Sequence, residues 1–271
     1  MKSLKIIARL LDDVRKRKPL VHHLTNYVTV NDCANIVLAL GGSPVMADDE
    51  GEVSEMVSIA SSLVINIGTL NERTIKSMLI AGKKANELGI PVVLDPVGAG
   101  ATSLRTQTAE RFLKNIRLAV LRGNMSEIKT LAGVTAVTRG VDSTDITLGG
   151  REIAVLMAKK YHCVTAITGA QDIITDGKRV GLIDNGHPTL SHVTGTGCMA
   201  TSLIGCFCGV TTDFYLAACA GIMVMGLAGE KAFSNLSPSE GIGSFRVKLM
   251  DAIYQMGPGD ILKSGKLTEP R

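Results

Sequence analysis

Pro91-Val92-Val93-Leu94-Asp95-Pro96-Val97-Gly98-Ala99-Gly100 opens as an aliphatic run and closes on a carboxylate, a second proline and two glycines. A run apolar at every position reads as a β-strand covered on both faces. Three further segments repeat the pattern. Leu63-Val64-Ile65-Asn66-Ile67 ends at Gly68, Leu118-Ala119-Val120-Leu121 ends at Arg122-Gly123-Asn124, and Val164-Thr165-Ala166-Ile167 ends at Thr168-Gly169. Between them lie stretches of helical length with mixed faces, such as Asn71 to Leu88 and Arg105 to Asn115. Strand and helix in alternation predict right-handed crossovers and a mostly parallel central sheet with helices on both faces. Asp176-Gly177-Lys178 lies between two apolar runs, which predicts an antiparallel hairpin at a sheet edge.

Composition supports a packed α/β core. Of 271 residues, 45% are hydrophobic and 20% charged, so a large core is available. Only 3% are aromatic and none is Trp, which argues against binding of single-stranded nucleic acid on stacked rings. The net charge of +4 suits anionic small molecules. The one basic run, Arg15-Lys16-Arg17-Lys18, reads as a solvated helix end and not as a nucleic-acid footprint. Six cysteines form no C-x-x-C pair, and Met1 to Arg9 lacks the apolar core of a signal peptide. A reduced, cytoplasmic setting is expected. Cys198 to Val210 and Phe214 to Gly229 fall short of the ~20 residues of a membrane span and read as buried helices. No repeat or linker divides the chain. One domain over residues 1–271 is expected, with a loose tail from Gly257 to Arg271, where Gly, Pro, Lys and Ser cluster.

Ligands of open α/β sheets bind outside the carboxyl ends of the strands. Here those ends carry Gly68, Asp95, Arg122 with Asn124, and Thr168 with Gly169. Asp95 is a candidate to hold Mg²⁺ through water, and the glycines after it leave backbone N–H groups free for an anion. A helix cap and an ordinary loop explain the same residues equally well. Arg122 is a natural phosphate ligand because its charge is permanent and its fork planar; a surface ion pair is the plainer alternative. Asn124 and Glu127 match a helix capping box, and Glu127 is also a candidate for the metal's surroundings.

His192-Val193-Thr194-Gly195-Thr196-Gly197-Cys198 runs into an apolar helix from Met199. Gly195 and Gly197 leave amides bare at the positive end of that helix, which makes an anion site. The same helix end is expected to lower the pKa of Cys198 and fit it as a general base. A glycine turn that merely starts a helix, and a small buried cysteine, are the plain alternatives. His22 and His23 are adjacent and point to opposite sides of a strand. They are therefore expected to serve as loop or pocket wall, not as a metal pair.

The sequence resembles the hydroxyethylthiazole kinases, a thiamine-salvage branch of the ribokinase-like group, from about Pro19 to Asp251. The matching segments include Pro19-Leu20-Val21-His22 with Thr25-Asn26, Leu38-Ala39-Leu40-Gly41-Gly42-Ser43-Pro44-Val45-Met46, Asn66-Ile67-Gly68-Thr69-Leu70 and Leu94 to Gly100. Arg122 to Glu127, Gly140-Val141-Asp142, Thr168-Gly169 and Gly195-Thr196-Gly197-Cys198 continue the match. The resemblance implies a ribokinase-like three-layer fold. It implies phosphorylation of 4-methyl-5-(2-hydroxyethyl)thiazole with ATP and Mg²⁺, in a homotrimer whose thiazole pocket lies at a subunit interface. By the same resemblance Asn26, Met46, Gly68 and Gly195 line the thiazole pocket. Arg122, Asn124, Thr168 and Gly197 meet ATP, Asp95 and Glu127 lie near the metal, and Cys198 stands where ribokinase relatives carry an aspartate base. Two positions depart from the family pattern. Ile242 stands where a proline is frequent, and Ala170 where a glutamate is frequent, while Asp172 remains. Two enzyme alternatives share features of this pattern, a hydroxymethylpyrimidine kinase and a nucleotide-dependent hydro-lyase on the same fold. A non-catalytic binder of thiazole or nucleotide is the third.

Overall fold

The computed structural model describes residues 2–134 and 149–270. The Gly140-Val141-Asp142 match lies outside the described residues. The chain begins with α1 (Lys2–Arg17), β1 (Leu20–Leu24), α2 (Val30–Leu40), β2 (Ser43–Val45) and α3 (Val53–Ser58). The expected alternation follows: β3 (Ser62–Asn66), α4 (Glu72–Leu88), β4 (Val92–Asp95), α5 (Ser103–Asn115), β5 (Val120–Asn124) and α6 (Met125–Ala132). After α7 (Gly150–Tyr161) come β6 (Val164–Thr168), β7 (Asp172–Thr175) and β8 (Val180–Ile183). Four helices and a last strand end the chain: α8 (Thr196–Cys208), α9 (Phe214–Ser234), α10 (Ile242–Gln255), α11 (Pro258–Ser264) and β9 (Leu267–Thr268).

All nine strands form one sheet in the order β2-β1-β3-β4-β5-β6-β7-β8-β9. Pairing is parallel from β2 to β6 and antiparallel from β6 to β9. The hairpin at Asp176-Gly177 is present, with Gly177 at φ 88°. Alternate residues of each central strand feed two separate cores, as the pleat requires. Val64, Val93 and Val120 join α1, α2, α8, α9 and α10, whereas Leu63, Ile65, Leu94 and Leu121 join α3 to α7. This is the three-layer arrangement expected of strands apolar on both faces.

α8 and α9 form the centre of one layer. A Cβ on Gly221 would stand 2.7 Å from the backbone nitrogen of Ile204, so glycine there lets the two helices pack. α9 is 21 residues, longer than its apolar stretch suggested, and is long and apolar enough to cross a membrane; 83% of its most apolar window is nonetheless buried inside the protein. Apolarity here serves the core.

The loose tail is a correction. Residues 257–270 hold α11 and β9. Pro258 starts a helix, because its missing N–H falls where no partner exists. Ile261 of α11 is fully buried. β9 pairs with β8, and Tyr215 donates its hydroxyl to Glu269 Oε1 at 3.0 Å. Gly and Pro marked element ends here, and not an unstructured segment.

Candidate active site

The strand ends meet as the alternation required. β3, β4, β5 and β6 are adjacent, so Asn66, Asp95, Arg122 and Thr168 line one rim. The N-terminus of α8 reaches the same rim. Gly195 caps it at φ 84°, and no side chain caps its first-turn amides. A Cβ on Gly195 would stand 2.4 Å from Thr29 Cγ2. One on Gly197 would stand 2.8 Å from Arg122 Nη1. Both glycines are required for this close approach, and the amides they leave bare face the rim.

Asp95 is fully buried. Its Oδ2 accepts from Thr201 Oγ1 at 2.7 Å and from Asn66 Nδ2 at 3.2 Å, with Arg122 Nη1 at 3.5 Å. Burial raises its pKa, against the pull of Arg122 and Thr201. Among the described residues its Oδ1 has no partner, nor has the buried Nε of Arg122. Arg122 donates from Nη2 to Thr168 Oγ1 at 2.6 Å. A cavity of about 530 Å³ opens beside them, lined by Arg122, Thr168, Asp172, His187, Gly197 and Met225 among others. That volume suits a nucleotide. Asp172 accepts from the amide of Gly169 at 3.0 Å, and burial pushes its pKa up to about 6.

Cys198 is half-buried, and its Sγ lies 3.2 Å from Asn66 Nδ2 and 3.4 Å from Asn26 Nδ2. The expected lowering of its pKa is not found. Burial raises it, the charge of Asp95 raises it further, and donors from Thr29, Asn66 and Asn26 only partly offset them. Desolvation beside a carboxylate outweighs the helix end.

Glu127 and Asn124 form the expected capping box. Asn124 Oδ1 accepts the amide of Glu127 at 2.9 Å, and Glu127 Oε2 accepts that of Asn124 at 2.7 Å. Glu127 Oε1 also accepts from Gly98 at 2.8 Å, which ties the loop after β4 to α6. Its charge helps raise the pKa of Asp95. Two carboxylates with acceptor capacity left, one with an orphaned oxygen, fit Mg²⁺, which takes one or two carboxylates and completes its shell with water and phosphate. Among the described residues no cluster of three or more metal-ligating side chains is present.

On the other side of Cys198, Asn26 and Gly68 touch; a Cβ on Gly68 would stand 2.8 Å from that of Asn26. Met46 follows β2 at the sheet edge, two strands from β3, and is half-buried. His22 and His23 both lie in β1: His22 Nε2 bonds Ala47 O at 2.7 Å while its Nδ1 has no partner among the described residues, and His23 bonds Val21 O and Ser202 Oγ. Burial lowers both pKa values, that of His23 to about 4.

Four site residues escaped the sequence reading. Asn66 and Thr201 hold Asp95, and Thr29 packs under Gly195. Arg105 donates to the carbonyls of Ile67, Gly68 and Val97 and braces two rim loops. Asn66 ends a strand on the rim, which was a usable signal. Thr201, Thr29 and Arg105 carry none in their local sequence.

A family model described as the hydroxyethylthiazole kinase family matches residues 11–258. A hydroxyethylthiazole kinase of Alkaliphilus oremlandii is 59% identical over 264 residues, 97% of each chain. A solved hydroxyethylthiazole kinase structure from Pyrococcus horikoshii superposes with a TM-score of 0.89 at 40% identity, covering 98% of this chain and 100% of that one. A ribokinase-like superfamily protein from Enterococcus faecalis shares the fold, with a TM-score of 0.62 at 11% identity over 88% of this chain and 87% of its own.

Proposed function

The chain belongs to the hydroxyethylthiazole kinase family, and from that premise we propose that it transfers the γ-phosphoryl group of ATP to the hydroxyl of 4-methyl-5-(2-hydroxyethyl)thiazole, giving thiazole phosphate for thiamine salvage. The observation that carries the chemistry is the pair Gly197 and Cys198. Gly197 abuts Arg122 on the side of the 530 Å³ cavity. Cys198, the next residue, abuts Asn26 and Asn66 on the other side. Nucleotide and alcohol would thus meet at the start of α8.

In the transfer, the hydroxyl oxygen attacks the γ-phosphorus as the bond to the bridging oxygen breaks and ADP leaves. The bare amides of α8 and the Arg122 guanidinium stabilise the charge on the moving group. Arg122 and Thr168 bind ATP phosphates, with Gly197 giving them room. Asn124, whose side-chain oxygen caps α6 and whose backbone N–H bonds Glu127, would contribute through its side-chain NH2. Asp95 and Glu127 would hold Mg²⁺, which when bound would neutralise phosphate charge. Cys198 accepts the hydroxyl proton. Asn26, Gly68, Gly195 and Met46 form the thiazole pocket, where a flat apolar ring suits Met and one amide.

The chain acts as one domain in a homotrimer, in the cytoplasm, with the thiazole pocket at the subunit interface. Support for the interface is the surface beside Asn26, where Tyr27 is 78% and Val28 57% exposed. Light scattering should give three times the 28.6 kDa of one chain. The pyrimidine-kinase and hydro-lyase alternatives are not favoured by the family match. Incubation with ATP, Mg²⁺ and either the thiazole or the pyrimidine alcohol decides the substrate. Turnover of the pyrimidine alone overturns the assignment.

A further inference from the structure

We propose that Asn66 is a positioning residue for the phosphoryl transfer, holding Cys198, Asp95 and Asn26 in register through the two ends of one amide. This rests on the kinase assignment above. Asn66 is the last residue of β3, between β1 and β4, and is buried. Its Oδ1 accepts from the backbone N–H of Gly68 and from Asn26 Nδ2, both at 2.9 Å. A backbone N–H can only donate, so the oxygen end of the amide is fixed. The nitrogen end must then face Asp95 Oδ2 and Cys198 Sγ, each at 3.2 Å. Its two hydrogens serve one acceptor each.

The consequence falls on the sulfur. Asn66 and Asn26 both donate to it, and they are bonded to each other. The two amides hold the sulfur on the side of Asn26 and Asn66, so the triangle aims it. Because Asn26 lines the proposed thiazole pocket, the same amide also links the seat of the substrate to the buried acid. An apolar side chain of equal size would leave the Gly68 amide and one Asp95 lone pair unpartnered and free the sulfur to turn.

A double-mutant cycle with Cys198 tests the proposal, run with ATP, Mg²⁺ and the thiazole alcohol. Asn66→Ala is expected to lower kcat by about tenfold to a hundredfold, with KM for ATP within about twofold. In a Cys198→Ala background the same change is expected to cost less than about threefold, because its target is gone. Equal losses in both backgrounds would make Asn66 a merely structural residue and overturn the proposal, as would a wild-type kcat in Asn66→Ala. Should the alanine variant fail to fold, Asn66→Asp carries the cycle, since it keeps the size and the acceptors for Gly68 and Asn26. A wild-type protein that leaves the thiazole alcohol untouched fails at the kinase assignment itself, which is read before any variant.

Discussion

Arg122 Nη1 stands 3.5 Å from Oδ2 of Asp95, a carboxylate with no exposed surface. The same guanidinium donates to Thr168, and both residues line the 530 Å³ cavity. One cation therefore serves the buried acid and the site where phosphate is expected. Its Nε has no partner among the described residues, which leaves a donor for a further acceptor.

Arg122→Ala should damage both functions. Removing one partner of a buried pair costs about 3–5 kcal/mol, because the other charge is left uncompensated. Urea unfolding at pH 7 should show a loss of that order, and KM for ATP should rise at least about tenfold, one hydrogen bond to a charged group being enough for that. Adding Asp95→Asn should restore part of the stability but none of the ATP affinity. Single and double variants of equal stability would contradict the pairing.

Cys198 sets a second expectation. Burial, then the charge of Asp95, raises its pKa above the ordinary thiol value. If the thiolate takes the proton, kcat should climb with pH through and beyond the ordinary thiol range. Cys198→Asp should move that limb to acid pH and keep activity at neutrality. Cys198→Ala should abolish the limb and lower kcat, by up to the roughly 10²–10⁴-fold of general-base catalysis, with little change in KM for ATP. A fully active alanine variant would remove Cys198 from the mechanism.

The two glycines of α8 should fail in different ways. Gly195 is in the left-handed region and faces Thr29 at contact distance, so Gly195→Ala should lower stability by at least about 1–2 kcal/mol. Gly197 has no positive φ, and the three atoms nearest to its added Cβ all belong to the guanidinium of Arg122. Gly197→Ala should therefore keep its melting temperature within a few degrees and raise KM for ATP. A reversal of the two phenotypes would refute the geometry assigned to this turn.

Asp172 makes stability depend on pH. Its folded pKa of about 6 lies above the ordinary value of 3.8, so the folded state binds a proton that the unfolded chain has lost. Stability from this group is present at low pH and falls as pH rises from about 4 to 6, by roughly 2–3 kcal/mol at most. Asp172→Asn keeps an acceptor for the Gly169 amide and should remove this part of the slope. The comparison is denaturant unfolding of both proteins at pH 4.5 and 7.5. Identical slopes would contradict the assignment.

Much of the rim was legible because it is written in strand ends. Each aliphatic run stops at a polar residue, and parallel order brings those residues together, so Asp95, Arg122 and Thr168 could be named in advance. The register of β5 was less legible. It runs from Val120 to Asn124, so Arg122 and Asn124 lie within the strand, where the apolar pattern has already ended. The state of Cys198 was not legible. A helix start predicts a lowered pKa, but the opposing carboxylate comes from a residue 103 positions away in sequence. Asn66, Thr201 and Thr29 act through contacts of that same long range. The tail misled because Pro and Gly punctuate helices and loops alike.

The most direct test of the whole assignment is ATP consumption by the purified protein with Mg²⁺ and 4-methyl-5-(2-hydroxyethyl)thiazole. ADP and thiazole phosphate are expected in equal amounts, at a rate that falls when Mg²⁺ is chelated. ATP left intact in the presence of the thiazole alcohol would contradict it.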